Sequence, residues 1–367
     1  MKNVLFVMNF KSTYEGSFIR SMIALGEELQ RDGSKAVYFI PEACRDFDWV
    51  RKLSTGGMRV YFFNPSLKAV IKNVILIKRL IKDFEIEIIH SHFADYRIHI
   101  PISLAMTGRK NIDYIVHVYQ EPNIKKNFYD RLAMIFTNAT LYIAVSDSIK
   151  NGLDITGRRS VSVPNAVDFS RLEFVDRSIG KGDFITAAGQ SIVFMFGHDF
   201  ESKGVDFVTR SLFEYDIEHK FQLLIAVSEN KDKIESSIKS VYGSIPDWIT
   251  LLPPRNDIAT YFSLADVFVS ANRIQGSPYT MIECAYLGIP MIYCDVPGLS
   301  ELNIPWSVKI KSDDSASLYK ALCEIAKEDK SETYLMGAES KEYVINHYSL
   351  GSWVYEIINI YKNIGRI

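Results

Sequence analysis

Long apolar runs are missing from this 367-residue chain. No stretch approaches the roughly 18 apolar residues that a spanning helix needs, so no bilayer crossing is expected. The first residues, MKNVLFVMNFKSTYEGS, lack the extended apolar core and small-residue cleavage site of a secretory signal, and read as a first buried strand. Cysteine is scarce, with four residues at 44, 284, 294 and 323 and no CxxC spacing. That argues against a disulfide framework or a thiolate zinc site and for reduced thiols in a cytoplasmic protein. Net charge is nearly absent, at -2. A total that small identifies no partner, and no nucleic-acid partner is expected. Disorder is excluded by a composition that is 47% hydrophobic and only 23% charged.

What is present is a repeated alternation. Short apolar runs, VLFVM (4–8), KAVYFI (35–40), MRVYFF (58–63), IEIIH (86–90), DYIVHVY (113–119) and LYIAV (141–145), are separated by helix-period segments. A polar, glycine-containing connector follows, from VSVPNAVDF (161–169) to about residue 190. The series then restarts with SIVFMF (191–196), FQLLIAV (221–227), WITLL (248–252), DVFVS (266–270) and PMIYC (290–294). Near-continuous β-branched runs between helices predict parallel strands covered on both faces. The expected fold class is α/β, with two Rossmann-like doubly wound domains facing a central cleft. The expected boundaries are 1–170, 171–348 and a C-terminal amphipathic helix, 349–367, that either caps the second domain or crosses back to the first. Lys and Arg outnumber Asp and Glu in the N-terminal half, and the reverse holds in the C-terminal half. That asymmetry suits ordinary surface variation, or an N-terminal half facing an anionic membrane or lipid phosphate.

Two segments of the second series carry chemistry. In FGHDFESKGVDFV (196–208) a strand ends, Gly197 turns the chain, and Lys203 and Gly204 lead into a helix. Amides at a helix start bind anions, and a lysine adds a full charge, so Lys203 suits a diphosphate; otherwise it is a solvated lysine beside a turn. In QGSPYTMIECAYLGIP (275–290), Gly276, Ser277 and Pro278 keep bulk low before a helix. Glu283 lies one to two turns in, between residues that read as buried, where a carboxylate can accept hydrogen bonds from vicinal sugar hydroxyls. The alternative is an exposed helix glutamate.

Together these segments resemble the retaining GT-B glycosyltransferases of family 4. LADVFVSANRIQGSPYTMIECAYLGIPMIYCDVPGLSEL (264–302) is similar to that family's E-x7-E region, and IVFMFGHDFESKGVD to its G-R-x4-K-G loop. AVSDSIK with VPNAVD, and IIHSHFAD, are similar to its connector and to a strand end of its first domain. The resemblance covers nearly the whole chain. It implies a nucleoside-diphosphate-sugar donor in the C-terminal domain, a glycan or lipid-linked acceptor in the N-terminal one, and no metal or other cofactor. It implies that Lys203 contacts the diphosphate and Glu283 the ribose, and that the loop of Gly276, Ser277, Pro278, Tyr279 and Thr280 lies at the donor, where its N–H groups other than at Pro278 supply amides. Gly16 would match the glycine-rich turn under the phosphates, Gly197 and His198 would lie at the donor, and Arg255, in LLPPRNDI, in the nucleobase loop. Two positions depart from the pattern. Gln275 stands where the first glutamate belongs, keeping an acceptor oxygen but no charge. His198 replaces the arginine paired with the lysine. These departures leave a non-catalytic partner of another transferase, or a nucleotide-sugar epimerase, as alternatives.

On the acceptor side, His92, His117, Tyr119 and Glu121 are candidates at two strand ends. His90 and His92 share one strand face. No carboxylate or cysteine accompanies the histidines at ligand spacing, so no metal is expected there. Asp46 of DFD (46–48) reads as a helix cap. The segment SLKAVIKNVILIKRLIKDF (66–84) sets cations at 68, 72, 78, 79 and 82 beside an apolar stripe. It suits a covering helix with a solvated face, or peripheral contact with the inner face of the plasma membrane.

Overall fold

The computed structural model describes residues 2–93, 112–120, 139–227, 230–255, 257–274, 276–327 and 330–365. They divide into two compact units, Met1–Ala166 with Leu350–Ile367, and Val167–Ser349. The sheet of the first unit is built from β1 (Val4–Met8), β2 (Ala36–Pro41), β3 (Arg59–Phe63), β4 (Ile88–His92), β5 (Asp113–Val118), β6 (Leu141–Ala144) and β7 (Ser160–Ser162). Its strand order is β3-β2-β1-β4-β5-β6-β7. The second unit has β8 (Ser191–Phe196), β9 (Phe221–Ala226), β10 (Ile249–Leu252), β11 (Val267–Ser270), β12 (Met291–Cys294) and β13 (Ser307–Ile310), in the order β10-β9-β8-β11-β12-β13. Every pairing among these strands is parallel. Each unit is therefore a doubly wound α/β domain, as the alternation of the sequence predicts.

The burial explains why the apolar runs read continuously. All residues of β1, β2, β4 and β9 are buried, because helices cover both faces of a parallel sheet. Two strands were not anticipated. β7 falls in the expected connector, and β13 is SVKI, with only Ile310 buried. Both are short edge strands, whose half-exposed residues give no apolar run.

The C-terminal helix Leu350–Asn363 belongs to the first unit, where it buries Trp353, Val354, Ile357, Ile358, Ile360 and Tyr361. Burying aliphatic side chains of this size is worth about 1.5–3 kcal/mol each. That is ample reason for the amphipathic stripe to settle on the first sheet. The expected cap at Asp46 is corrected. The helix runs Asp48–Thr55 with Phe47 at its N-cap and no side-chain cap bond. Asp48 itself occupies the first turn, where its charge favours the helix dipole. Among the described residues no helix is long and apolar enough to cross a membrane.

Candidate active site

In the second sheet the strand order reverses between β8 and β11, which lie side by side with β9 and β12 on their outer flanks. Ligands of open α/β sheets bind at such a switch, outside the carboxyl ends of the strands. The loops leaving β8 and β11 are the segments that hold Lys203 and Gly276–Thr280.

The β8 loop is tightly seated. A Cβ on Gly197 would lie 2.4 Å from Ile225 Cγ2 and 2.9 Å from Val205 Cγ2. Gly204 has φ +70°, and a Cβ there would lie 2.3 Å from the carbonyl oxygen of Ala271. The left-handed backbone and the close approach of the β11 loop both require glycine. Gly204 is the N-cap of helix Val205–Tyr215, and that helix start carries no side-chain cap bond. Lys203 is half-buried. Among the described residues its ammonium has no hydrogen-bond or salt-bridge partner. Burial lowers its pKa, and the nearby charge of Asp199 opposes the shift. His198 is likewise pushed down, by burial and then by Lys203, so its imidazole is neutral at pH 7.

Arg273, a residue the sequence did not single out, clamps the two loops. Its amide donates to the Ser202 carbonyl at 3.0 Å. Its guanidinium grips both carboxylate oxygens of Asp206 at 2.9 Å, and reaches Asp313 and the Glu201 carbonyl. The Lys203 loop and the segment entering Gly276 are thus held as one piece.

Pro278 is the N-cap of helix Tyr279–Tyr286 and offers no cap bond. Glu283, one turn beyond Tyr279 on the same face, is 3% exposed. It is not an exposed helix glutamate. Its Oε1 accepts from Nη1 of Arg171, which lies in the short turn Phe169–Leu172. Beside this pair the Phe169 ring stacks on Tyr286, with centroids 4.4 Å apart and planes 9° apart. Burial and the Glu283 charge raise the Tyr279 phenol far above its ordinary pKa. Arg171 follows PNAVD closely in the connector; an arginine beside that motif is the only signal the sequence offered. Gln275 lies outside the described residues.

Arg255 is spoken for. Its Nε donates to Asp257 Oδ1 at 2.9 Å, and its Nη2 to Asp257 Oδ2 at 2.5 Å and Asp176 Oδ2 at 3.1 Å. With Arg171–Glu283 and Lys181–Asp266, the Arg255–Asp176 pair fastens the connector to the second unit.

In the first unit, Gly16 is the N-cap of helix Ser17–Arg31, with extended backbone and open space where a Cβ would stand. His92 and His117 do not line a surface: they are 0% and 1% exposed. Their position at strand ends suggested an edge, but helices Ser17–Arg31 and Leu350–Asn363 bring Phe18 and Trp353 against the rings. Burial drives both imidazoles to the neutral form, His117 down to about 3. Tyr119 is half-buried, and its hydroxyl meets His92 Nδ1 at 2.8 Å. Glu121 lies outside the described residues.

Comparison with known proteins agrees along most of the chain. Residues 20–171 match the family described as Glycosyltransferase Family 4, and residues 190–328 match Glycosyl transferases group 1. A curated relative in Escherichia coli, UDP-Gal:alpha-D-GlcNAc-diphosphoundecaprenol alpha-1,3-galactosyltransferase, is 22% identical over 352 residues, covering 90% of this chain and 84% of the relative. Among solved structures, a glycosyltransferase of Rickettsia africae superposes with a TM-score of 0.76 at 16% identity, over 100% of this chain and 99% of the other. HepE of Anabaena in complex with UDP-glucose gives 0.78 at 15%, over 99% and 100%. These likenesses in shape show the two-domain GT-B type of fold.

Proposed function

The chain belongs to the family 4 glycosyltransferases, glycosyl transferases group 1, and from that premise we propose that it moves a sugar from a UDP-sugar to a lipid-diphosphate-linked glycan, with retention and with no metal in the transfer step. The observation that carries this is the half-buried Lys203 ammonium, without a hydrogen-bond or salt-bridge partner among the described residues, in the loop leading to one uncapped helix start, with a second uncapped start in the loop leaving the adjacent strand at the switch point of the second sheet. That arrangement suits a diphosphate and leaves its charge to be met by one cation and backbone amides. The uridine and the lipid-diphosphate acceptor are taken from what the relatives are named for.

In the proposed reaction the bond from the sugar's anomeric carbon to the diphosphate oxygen breaks. The acceptor oxygen bonds to that carbon on the same face. The acceptor's proton passes to the leaving diphosphate, so no protein nucleophile is needed. Lys203 and the amides of Gly276, Ser277, Tyr279 and Thr280 stabilise the charge that grows on the leaving group. Glu283 accepts from ribose hydroxyls. Gln275 and neutral His198 serve as hydrogen-bonding groups of the donor sugar and phosphate, and Arg255 acts through its ion pairs to hold the base loop. Tyr119 and Glu121 serve the acceptor.

A lipid-linked acceptor calls for contact with a membrane. The helix Val70–Asp83 buries Val74, Ile77, Leu80 and Ile81 and exposes Ile71 (70%) and Ile75 (63%) among Lys68, Lys72, Lys78, Arg79 and Lys82. Exposed isoleucines within a basic face suit an anionic bilayer surface, here the inner face of the plasma membrane during surface-polysaccharide assembly.

The test is a panel of UDP-sugars incubated with undecaprenyl-diphosphate-linked GlcNAc, with UDP release and the anomer of the product read by NMR. Transfer with retained configuration is expected. An inverted product overturns the retaining mechanism. Binding without turnover across the panel overturns transfer in favour of the non-catalytic partner. Donor conversion without acceptor favours the epimerase.

A further inference from the structure

The first unit contains a cluster that transfer does not use. In the parallel pair β4–β5, His92 stands opposite His117, and His90 lies two residues earlier on the same face. One ring nitrogen from each of the three lies within 4.8 Å of the others. All three rings are buried. Among the described residues, His90 Nε2, His92 Nε2 and both nitrogens of His117 have no hydrogen-bond partner. Buried polar atoms are nearly always paired, so four orphaned nitrogens in one place call for an explanation.

We propose that His90, His92 and His117 form a buried trihistidine site for one first-row divalent cation, with zinc the best fit. The remaining nitrogens support the assignment. His90 Nδ1 lies 2.7 Å from the Tyr361 hydroxyl, and His92 Nδ1 lies 2.8 Å from that of Tyr119. A ligating histidine characteristically donates its other N–H to an oxygen, which fixes the ring and leaves the lone pair on the inner nitrogen. In the tautomer whose Nδ1–H groups donate to the two tyrosines, both Nε2 atoms carry the lone pairs a metal needs. Imidazole ligands without thiolate suit zinc, copper, nickel or iron, and disfavour magnesium and calcium, which take oxygen ligands.

The rings now stack. His90 and His117 have centroids 5.4 Å apart at 13°, and His92 and His117 5.1 Å apart at 29°. Tetrahedral zinc with bonds of about 2.0–2.1 Å sets its ligand nitrogens about 3.4 Å apart. Loading therefore draws the nitrogens inward from within 4.8 Å, by rotation about the soft Cβ–Cγ bonds. Three histidines leave a fourth position. The indole N–H of Trp353, also without a partner among the described residues, lies on the ring whose centroid is 6.3 Å from that of His117. It supplies the donor that a bound water there would require. Through Tyr361 and Trp353 the ion would tie the C-terminal helix to the sheet of the same unit.

The test uses the full chain, stripped with a chelator and dialysed against zinc. One equivalent should be retained against a weak competing chelator. Cobalt(II) in its place should give the visible bands of a tetrahedral site. His117→Phe, which preserves ring volume, should weaken zinc at least about 100-fold, whereas His219→Ala, remote in sequence and exposed, should not. Zinc should also raise the melting temperature of the stripped wild type but not of His117→Phe. UDP binding should be alike with and without zinc, which separates this site from the donor site. No retained zinc in the wild type, equal retention by His117→Phe, or an octahedral cobalt spectrum overturns the proposal. If His117→Phe does not fold, stoichiometry and the cobalt spectrum of the wild type decide alone.

Discussion

Removing Arg171 should expose how much the buried Glu283 depends on it. The Glu283 side chain is 4% exposed and that of Arg171 13%, so solvent screens the pair little. Arg171→Ala removes this guanidinium from a buried carboxylate, and breaking a buried pair costs roughly 3–5 kcal/mol in comparable cases. The carboxyl has an escape, which is to take up a proton. For an acid of ordinary pKa near 4.3, protonation at pH 7 costs about 3.7 kcal/mol, at about 1.4 kcal/mol per pH unit. That sets a ceiling of roughly 3.7 kcal/mol at pH 7, falling to about 1.6 at pH 5.5. The sign follows from linkage. In the variant the folded-state pKa is raised above the unfolded value, so the variant's stability is best at low pH and is lost as pH rises towards that raised pKa. Urea denaturation of wild type and variant at both pH values, followed by a probe in the second unit, measures the difference. Arg171→Met with Glu283→Gln should recover most of the loss, because neither partner is then a buried charge. A penalty independent of pH, or below about 1 kcal/mol at pH 7, would refute the reasoning.

Gly204→Ala should destabilise the second unit by more than about 2 kcal/mol, since a left-handed alanine costs 1–2 and its Cβ meets the Ala271 carbonyl; thermal unfolding checks this. Arg273→Lys keeps the charge but loses the fork on Asp206, and should raise the KM for donor several-fold with the fold intact by circular dichroism. Donor diphosphate binding should weaken as pH rises through the Lys203 pKa, which burial lowers, and Lys203→Arg should remove that dependence in titrations from pH 7 to 10. Ile71→Glu with Ile75→Glu should cut sedimentation with anionic vesicles at least about tenfold without changing UDP binding.

The fold was legible because most apolar runs are strands buried on both faces, and the restart at SIVFMF marks a second sheet. β7 and β13 were not, since edge strands this short carry no periodic signal. Within the second unit, the glycines at 197 and 204 and the lysine between them could be read from a local pattern, because a strand–turn–helix junction is set by neighbours in sequence. The partners of Arg171 and Arg255 could not. Arg171 meets Glu283 112 positions away, and only the tertiary fold sets such a distance. The histidines show the same limit from another side. Alternation put His90 and His92 on one face, but the register that sets His117 opposite His92, and the helix that brings Tyr361 to His90, belong to pairings that sequence alone leaves open. Strand-end histidines therefore read as cleft-facing, when in this chain they are enclosed.

The central claim is that Lys203 and the neighbouring amides hold the diphosphate of an activated sugar. Calorimetric titration of UDP and of uridine into wild type and Lys203→Ala tests it most directly. A charged hydrogen bond contributes about 1.5–3 kcal/mol, so UDP should bind the variant about 10- to 100-fold more weakly while uridine binds both alike. Equal UDP affinity for the two proteins would contradict the account.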